Sequence, residues 1–432
     1  MGRYLNSRAP FEVYKEIVRT RFFVDKSLLL EDILSAMEVD GQKYLCITRP
    51  RRFGKSIMAS MIATFLGKAV DSKSLFEGLA IGGNENCKAH LNRHNVVYID
   101  FSEVPRDCAD YGQYIARIQD GLNNDLAKAY TDLSIDTAKA AWDILTDIFQ
   151  EKGERFIFIM DEWDAIFHMS FVTQEDQEAY LLFLKSLLKG KAYVELAYMT
   201  GVLPIAKYSG GSELNMFLEY DMATKRKFSE YFGFSDSEVD KLFEIYQKGT
   251  EEPAITREEL RIWYDGYCTA KGGRLYNPRS VVCALTDNEL SNYWTSSGPY
   301  DEIFYYIRNN IQDVRDDIVL MVSGERVPIA LLGYAVTGTE LKTKNQIYSA
   351  MVVYGLLTYE NKTVFIPNKE LMDKFNELLL NNDSLGYVYS LARESERMLA
   401  ATLAGDTDTM ADILAFAHDT ESPILSYNSE TE

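Results

Sequence analysis

Gly54, Lys55 and Ser56 stand in a row at the end of the stretch ITRPRRFGKS. A glycine, a lysine and a hydroxyl in that order suit one chemistry well. Backbone N–H groups at a helix start converge on phosphate oxygens, the lysine ammonium meets the β/γ phosphates, and the hydroxyl joins a carboxylate in holding magnesium. The usual motif, G-x-x-x-x-G-K-[ST], has a further glycine five residues before the second, where this chain has Arg49. The candidate phosphate-binding set is therefore Arg49, Pro50, Arg51, Arg52, Phe53, Gly54, Lys55 and Ser56, with Lys55 as the phosphate clamp and Ser56 as a magnesium ligand. A chance GKS at a helix start is the alternative. Losing the first glycine removes a flexible turn, but Pro50 fixes φ and three arginines would add charge to a phosphate cradle.

About a hundred residues on, the run FIFIM ends in Asp161-Glu162. Two adjacent carboxylates then emerge at the C-terminal end of a buried strand, where parallel sheets place their ligands. Asp161 is expected to hold the metal and Glu162 to polarise an attacking water, the reading that makes Lys55, Glu162 and Thr200 the catalytic candidates and Ser56 with Asp161 the metal ligands. Thr200 closes another apolar run, VELAYMTG. It is placed either to sense the γ-phosphate or lytic water, or simply to satisfy a strand end. Asp164 is expected to cap the segment after it.

These side chains need a sheet to hold them. Short apolar runs alternate with amphipathic stretches from about 43 to 205, the pattern of a parallel sheet covered on both faces. The expected strands are 44–50, 96–101, 155–162 and 194–202, the third central because it is uniformly apolar. Helices are expected over 55–66, about 110–130, around 137–150, and over 173–190, the last with Thr173 as N-cap and Gly190 as terminator. After 205 strands stop recurring and helix signals dominate. Ser235-x-x-Glu238 and Thr256-x-x-Glu259 read as capping boxes, and Asn277-Pro278 as an N-cap followed by proline at the first helical position. The run VVYGLLTYENKTVFIPNKEL reads as a helix leading into a β-hairpin. The fold class expected is α/β: a P-loop NTPase parallel sheet flanked by helices over 1–205, a helical lid domain over 206–300, and a small mixed, winged-helix-like unit over 301–390. An acidic segment over 391–432 comes last.

Composition narrows the rest. A chain of 432 residues with 47% hydrophobic and 25% charged residues is a folded protein of two or three domains rather than a disordered one. The charge of −20 disfavours nonspecific binding to nucleic acid. The absence of a signal-like or membrane-spanning apolar run makes the cytoplasm the expected location. Five widely spaced cysteines read as reduced thiols, and the pair His90 and His94 beside Cys87 reads as a polar loop before a strand rather than a zinc site.

RPRRFGKS, the strand-terminal DEWD, the TGV turn at 200–202, VDKS at 24–27 and the run WYDGY…LYNPRSV…NYWTSSG together resemble the bacterial AAA-ATPase-like family, in which the ATPase is often joined to a PD-(D/E)xK nuclease-like domain. Loops of the type P-R-R-x-G-K recur in that family with arginine at the first-glycine position. The resemblance implies ATP and Mg2+ as ligands, and makes 391–432 the remnant start of a nuclease-like domain. Glu340-Leu341-Lys342 reads as a solvated surface triplet rather than a nuclease motif. The leading expectation is a slow ATPase that couples nucleotide state to movement of the helical domain. The alternatives are a non-hydrolysing, nucleotide-gated module whose acidic C-terminal region docks an unknown protein partner, and the ATPase part of a DNA-processing nuclease system.

Overall fold

Five parallel strands in the order β2-β3-β4-β1-β5 form the central sheet: β1 (Tyr44–Thr48), β2 (Asn95–Asp100), β3 (Phe156–Asp161), β4 (Val194–Gly201) and β5 (Leu218–Tyr220). The computed structural model describes residues 2–38, 42–205, 213–294, 314–331, 341, 343–380, 397–398 and 401–415. The sheet is sandwiched because alternate side chains of each strand face opposite ways. Leu45, Ile47, Ile157, Ile159, Leu196 and Tyr198 pack against α1 (Ala9–Val18), α2 (Leu29–Glu38) and α3 (Lys55–Leu66). Cys46, Val97, Ile99, Phe158, Met160 and Met199 pack on the other side, against α6 (Tyr111–Ala129), α7 (Ala141–Lys152) and α8 (Gln174–Leu188). Two single-turn helices, α4 (Lys73–Phe76) and α5 (Glu85–Lys88), lie between α3 and β2. Strand β3 lies inside the sheet, and every one of its six residues is buried.

The sheet does not end where the strand signals end. Strand β5 pairs in parallel with β1 through Leu45↔Leu218, Cys46↔Glu219 and Ile47↔Tyr220, which corrects the expectation that strands stop after 205. It is an edge strand of three residues with Leu218 exposed, too short to show a period.

Beyond it, α9 (Asp236–Gly249), α10 (Arg257–Tyr264) and α11 (Pro278–Asp287) share a core of Val239, Leu242, Tyr246, Leu260, Tyr264 and Val281. Ser235 with Glu238 and Thr256 with Glu259 make full capping boxes, as Thr173 with Asp176 does for α8, and Asn277 caps α11 ahead of Pro278. A two-stranded ribbon, β6 (Tyr267–Cys268) and β7 (Arg274–Leu275), joins α10 to α11. The last unit packs α12 (Val314–Val322), α13 (Lys344–Tyr354) and α14 (Lys369–Leu380) with an antiparallel sheet in the order β8-β10-β9, from Val327–Pro328, Thr363–Phe365 and Thr358–Glu360. Its core takes in Phe53 and Trp294 as well as its own Met351, Leu356 and Leu371, so the phosphate-loop candidate region is built into it. Glu340 and Lys342 lie outside the described residues, as do most of residues 391–432. Among the described residues no helix is long and apolar enough to cross a membrane.

Candidate functional site

The first turn of α3 faces the C-terminal ends of the parallel strands. Gly54 is the N-cap of that helix with φ +86°, a left-handed conformation that glycine adopts without strain. A Cβ there would meet nothing within 4 Å, so the glycine is needed for its backbone angle and the space beside it is open. The first helical hydrogen bond runs from Met58 N to Gly54 O, which leaves the N–H groups of Lys55, Ser56 and Ile57 ahead of the ladder at the positive end of the helix dipole.

Asp161 ends β3 with 1% exposure, and burial pushes its carboxyl up to about 7. A hydrogen bond with the Ser56 side chain opposes that rise, the charges of Glu162 and Asp100 add to it, and Lys55 opposes it. Asp161 Oδ1 accepts the Glu162 N–H at 3.0 Å, and the Tyr98 hydroxyl donates to Oδ2 at 3.5 Å. The chain then turns sharply: Glu162 has φ +49°, a region a non-glycine residue enters at a cost. The turn brings Glu162 Oε1 to 3.8 Å from Lys55 Nζ, an ion pair longer than a hydrogen bond. Lys55 is itself buried and donates to the Pro50 carbonyl at 3.4 Å. Gly54, Lys55, Ser56, Asp161 and Glu162 are thus gathered at one edge of the sheet.

Thr200 lies between them in the sheet order, since β4 separates β1 from β3. It is fully buried, and its hydroxyl donates to the Ile47 carbonyl at 3.0 Å. Asp164 does not cap the turn next to it. Its Oδ2 accepts the N–H groups of Val202 and Leu203 at 3.0 and 2.7 Å and so ties the end of β4 to the turn after β3, with burial pushing its carboxyl up to about 6.

The Arg49 side chain points elsewhere, which corrects the expectation that Arg49 lends charge to a phosphate cradle. Its guanidinium is boxed in, with the residue 1% exposed, donating to the carbonyls of Thr48 and Tyr220 at 2.7 Å and of Phe228 at 3.1 Å and lying 4.8 Å above the Phe232 ring. Pro50 packs on Gly355, where a Cβ would come within 2.7 Å of the Pro50 Cβ. The Arg51 carbonyl accepts the Trp294 indole N–H at 3.4 Å, and the Arg52 guanidinium donates to the Tyr293 carbonyl. Phe53 is buried edge-on against Tyr267, with ring centroids 4.9 Å apart.

One carboxylate escapes the reading of the sequence. Asp100 ends β2 in register with Asp161, half-buried, with burial the main cause of its raised carboxyl pKa; its Oδ1 accepts the N–H and hydroxyl of Ser102. Its signal is present, because YID closes an apolar strand with an acid as FIFIMD does. Among the described residues no group of three or more His, Cys, Asp or Glu side chains gathers as a metal cage; His94 pairs with Glu195 at 3.0 Å. The oxygen pair Ser56 and Asp161 fits a small hard cation that draws its other ligands from water and phosphate.

Residues 11–209 match the profile of a family described as "Predicted AAA-ATPase". A curated relative from Azotobacter chroococcum mcd 1, described as "Uncharacterized protein in vnfD 5'region", is 27% identical over 282 residues. That alignment takes in 64% of this chain and 51% of the relative, so the chain spans about half the length of the curated relative it matches. The ORC2 protein of Aeropyrum pernix, solved in ADPNP-ADP complexes, superposes with a TM-score of 0.40 and 12% identity over 82% of this chain and 92% of its own. A Walker-type ATPase of Pyrococcus abyssi gives a TM-score of 0.40 and 14% identity over 81% and 94%. Both superpositions are loose in space and remote in sequence. The sheet from β1 to β4 and every residue gathered at its edge fall inside the stretch, 11–209, that matches the predicted AAA-ATPase profile.

Proposed function

We propose that the protein binds ATP with Mg2+ at the edge of the sheet and hydrolyses it slowly, with nucleotide state linked to movement of the helices α9 to α11. The observation that carries this reading is the hydrogen-bonded pair Ser56 and Asp161 beside the Lys55–Glu162 ion pair, at the mouth of a helix whose first N–H groups precede its ladder. Lys55 and the N–H groups of 54–57 hold the phosphates. Ser56 and Asp161 would hold the magnesium ion, which would offset the negative charge of the phosphates. Glu162 accepts the proton of the attacking water once Lys55 has turned to the phosphates and released it. Arg49 serves this site by fixing the end of β1.

The Lys55–Glu162 pair also favours a second reading. In it the Lys55 ammonium and the Glu162 carboxylate face each other, and an ammonium held there would have to leave Glu162 to meet a phosphate. A nucleotide-gated module that binds without turnover would use the same contacts.

Titration with ATP and GTP, each with and without Mg2+, followed by phosphate release, separates the two. Lys55→Ala should abolish the thermal protection that ATP gives, a loss of about 2.7 kcal/mol at a hundredfold excess over Kd. Glu162→Gln should leave that protection in place and lower turnover by ~10²-fold. Turnover at the unmutated rate in Glu162→Gln removes the catalytic assignment and leaves the switch. Lys55→Ala that ATP still protects removes the nucleotide reading itself.

A further inference from the structure

A carboxylate far along the chain is fully buried and takes no part in the chemistry proposed above. Glu370, in the first turn of α14, accepts the Ser280 hydroxyl at 3.0 Å on both of its oxygens and the N–H groups of Tyr293 and Trp294 at 2.7 Å on Oε1. The Asn292 side chain donates to its backbone carbonyl at 3.0 Å. A buried carboxylate costs the fold unless its oxygens are bonded, and here those bonds all go to α11 and to the segment just after it.

The same two residues, Tyr293 and Trp294, meet the phosphate loop. The Trp294 indole donates to the Arg51 carbonyl, and the Tyr293 carbonyl accepts the Arg52 guanidinium. The Trp294 ring also lies beside Gly355, against which Pro50 packs, so that three consecutive loop residues rest on this one support. Arg52 is held there in a left-handed conformation, φ +69°, which a non-glycine residue keeps only when its surroundings impose it.

We propose that Glu370 is a positioning residue for the phosphate-binding loop, acting through a clip made of Tyr293 and Trp294. The carboxylate fixes two successive peptide N–H groups, and the dipeptide so fixed presents one donor and one acceptor to the main chain and side chain of Arg51 and Arg52. Displacement of α14 from α11 would carry Tyr293 and Trp294 with it and loosen the outer side of the loop while the sheet stays as it is. The loop's role as a phosphate site is the reading proposed above, and the clip rests on that reading only for its effect on ATP.

Hydrogen exchange of the full chain without nucleotide, followed by ATP titration, tests both parts separately. In Glu370→Ala, exchange of a peptide covering residues 50–56 should rise about tenfold or more while peptides from β1, β3 and β4 keep their protection. The Kd for ATP should rise by about tenfold, since misplacing the loop by a fraction of an ångström suffices for that. Glu370→Gln keeps an acceptor for the two N–H groups and should restore loop exchange to the unmutated level. Should Glu370→Ala lose protection throughout the sheet, Trp294→Phe decides instead, because it keeps an aromatic ring in the pocket and removes the indole donor to Arg51. Loop exchange raised in Trp294→Phe, with α11 and α14 unchanged, supports the clip. Loop exchange at the unmutated level in every variant that keeps its sheet overturns it. If the unmutated protein shows no ATP binding, the nucleotide reading falls and the exchange comparison still decides the clip.

Discussion

The two sides of the loop 49–56 are built on opposite terms. On the side facing the strand ends, Gly54 has open space around it, Ser56 is exposed, and the N–H groups at the start of α3 precede the helical ladder. On the other side, Arg49, Pro50, Arg51, Arg52 and Phe53 are each held from elsewhere in the chain, by β5 with the segment 228–232, Gly355, Trp294, Tyr293 and Tyr267. The difference shows how the proposed phosphate loop would do without its first glycine. A glycine there supplies flexibility to a loop that must find its own shape. A loop held from outside at five consecutive residues has its shape imposed, and the position can carry a large side chain that strengthens the hold.

That contrast breaks most visibly at Arg49. Arg49→Gly restores the glycine of the ordinary motif, and if the outer side is an anchor it should harm the protein rather than repair it. Three carbonyls, those of Thr48, Tyr220 and Phe228, would lose a charged donor in a buried setting, and the cavity left would add to the loss. The expected destabilisation is about 3 kcal/mol or more. Urea melts of the two proteins measure it. A stability within about 0.5 kcal/mol of the parent, with ATP affinity lowered instead, would move Arg49 to the phosphate side of the comparison.

The open side makes a different prediction, through pH. The Asp161 carboxyl, raised by burial to about 7, favours folding while it is protonated. Its contribution is full below the unfolded value near ~3.9 and is lost as the pH climbs through about 7. Asp161→Asn stays neutral throughout, so between pH 5 and 8 the unmutated protein should lose stability relative to the variant, by about 2 kcal/mol. Asp164, Glu219 and Glu370 are also raised, to about 6, 7 and 7, but both proteins share them and their effects cancel in the difference. Melts at pH 5, 6, 7 and 8 give the two curves. With saturating ATP and Mg2+ the gap should close, because a cation at Asp161 replaces the proton. Parallel curves without ligand would mean that Asp161 titrates as an exposed carboxyl does.

How much of this was legible depended on which of the two sides a residue served. That Gly54, Lys55, Ser56, Asp161 and Glu162 lie together could be read from the sequence, because the motif proposed for them restricts residue type and spacing and the strands that carry them are continuous apolar runs. The capping boxes at Ser235 and Thr256 were legible for a similar reason, since a helix start is solved within four residues. The outer side had no such signature. Arg49 reaches carbonyls about 170 and 180 residues away, and Glu370 reaches Ser280 across 90, and contacts of that range leave no local period. Strand β5 was missed for its three residues. Asp164 was misread because an aspartate at the start of a turn usually caps its own turn, and here it binds the end of the neighbouring strand instead.

Thr200 sits on the boundary between the two sides and gives the smallest and sharpest test. Its hydroxyl donates to the Ile47 carbonyl, so in the state described it holds β4 to β1 just below the loop, as an anchor would. Its place between Lys55 and Asp161 in the sheet order is equally where a group sensing the γ-phosphate would stand. Thr200→Val keeps the shape and removes the donor. If Thr200 is an anchor, the loss is that of one buried hydrogen bond, about 1 kcal/mol in a urea melt, with ATP affinity and turnover unchanged. If it turns to the nucleotide during the reaction, stability should move just as little while turnover falls by ~10-fold or more at an unchanged Kd for ATP, the signature of a contact made only in the transition state. The hydrogen bond to Ile47 favours the first outcome, since a hydroxyl whose one proton is already donated offers a ligand only its lone pairs, and phosphate oxygens need donors.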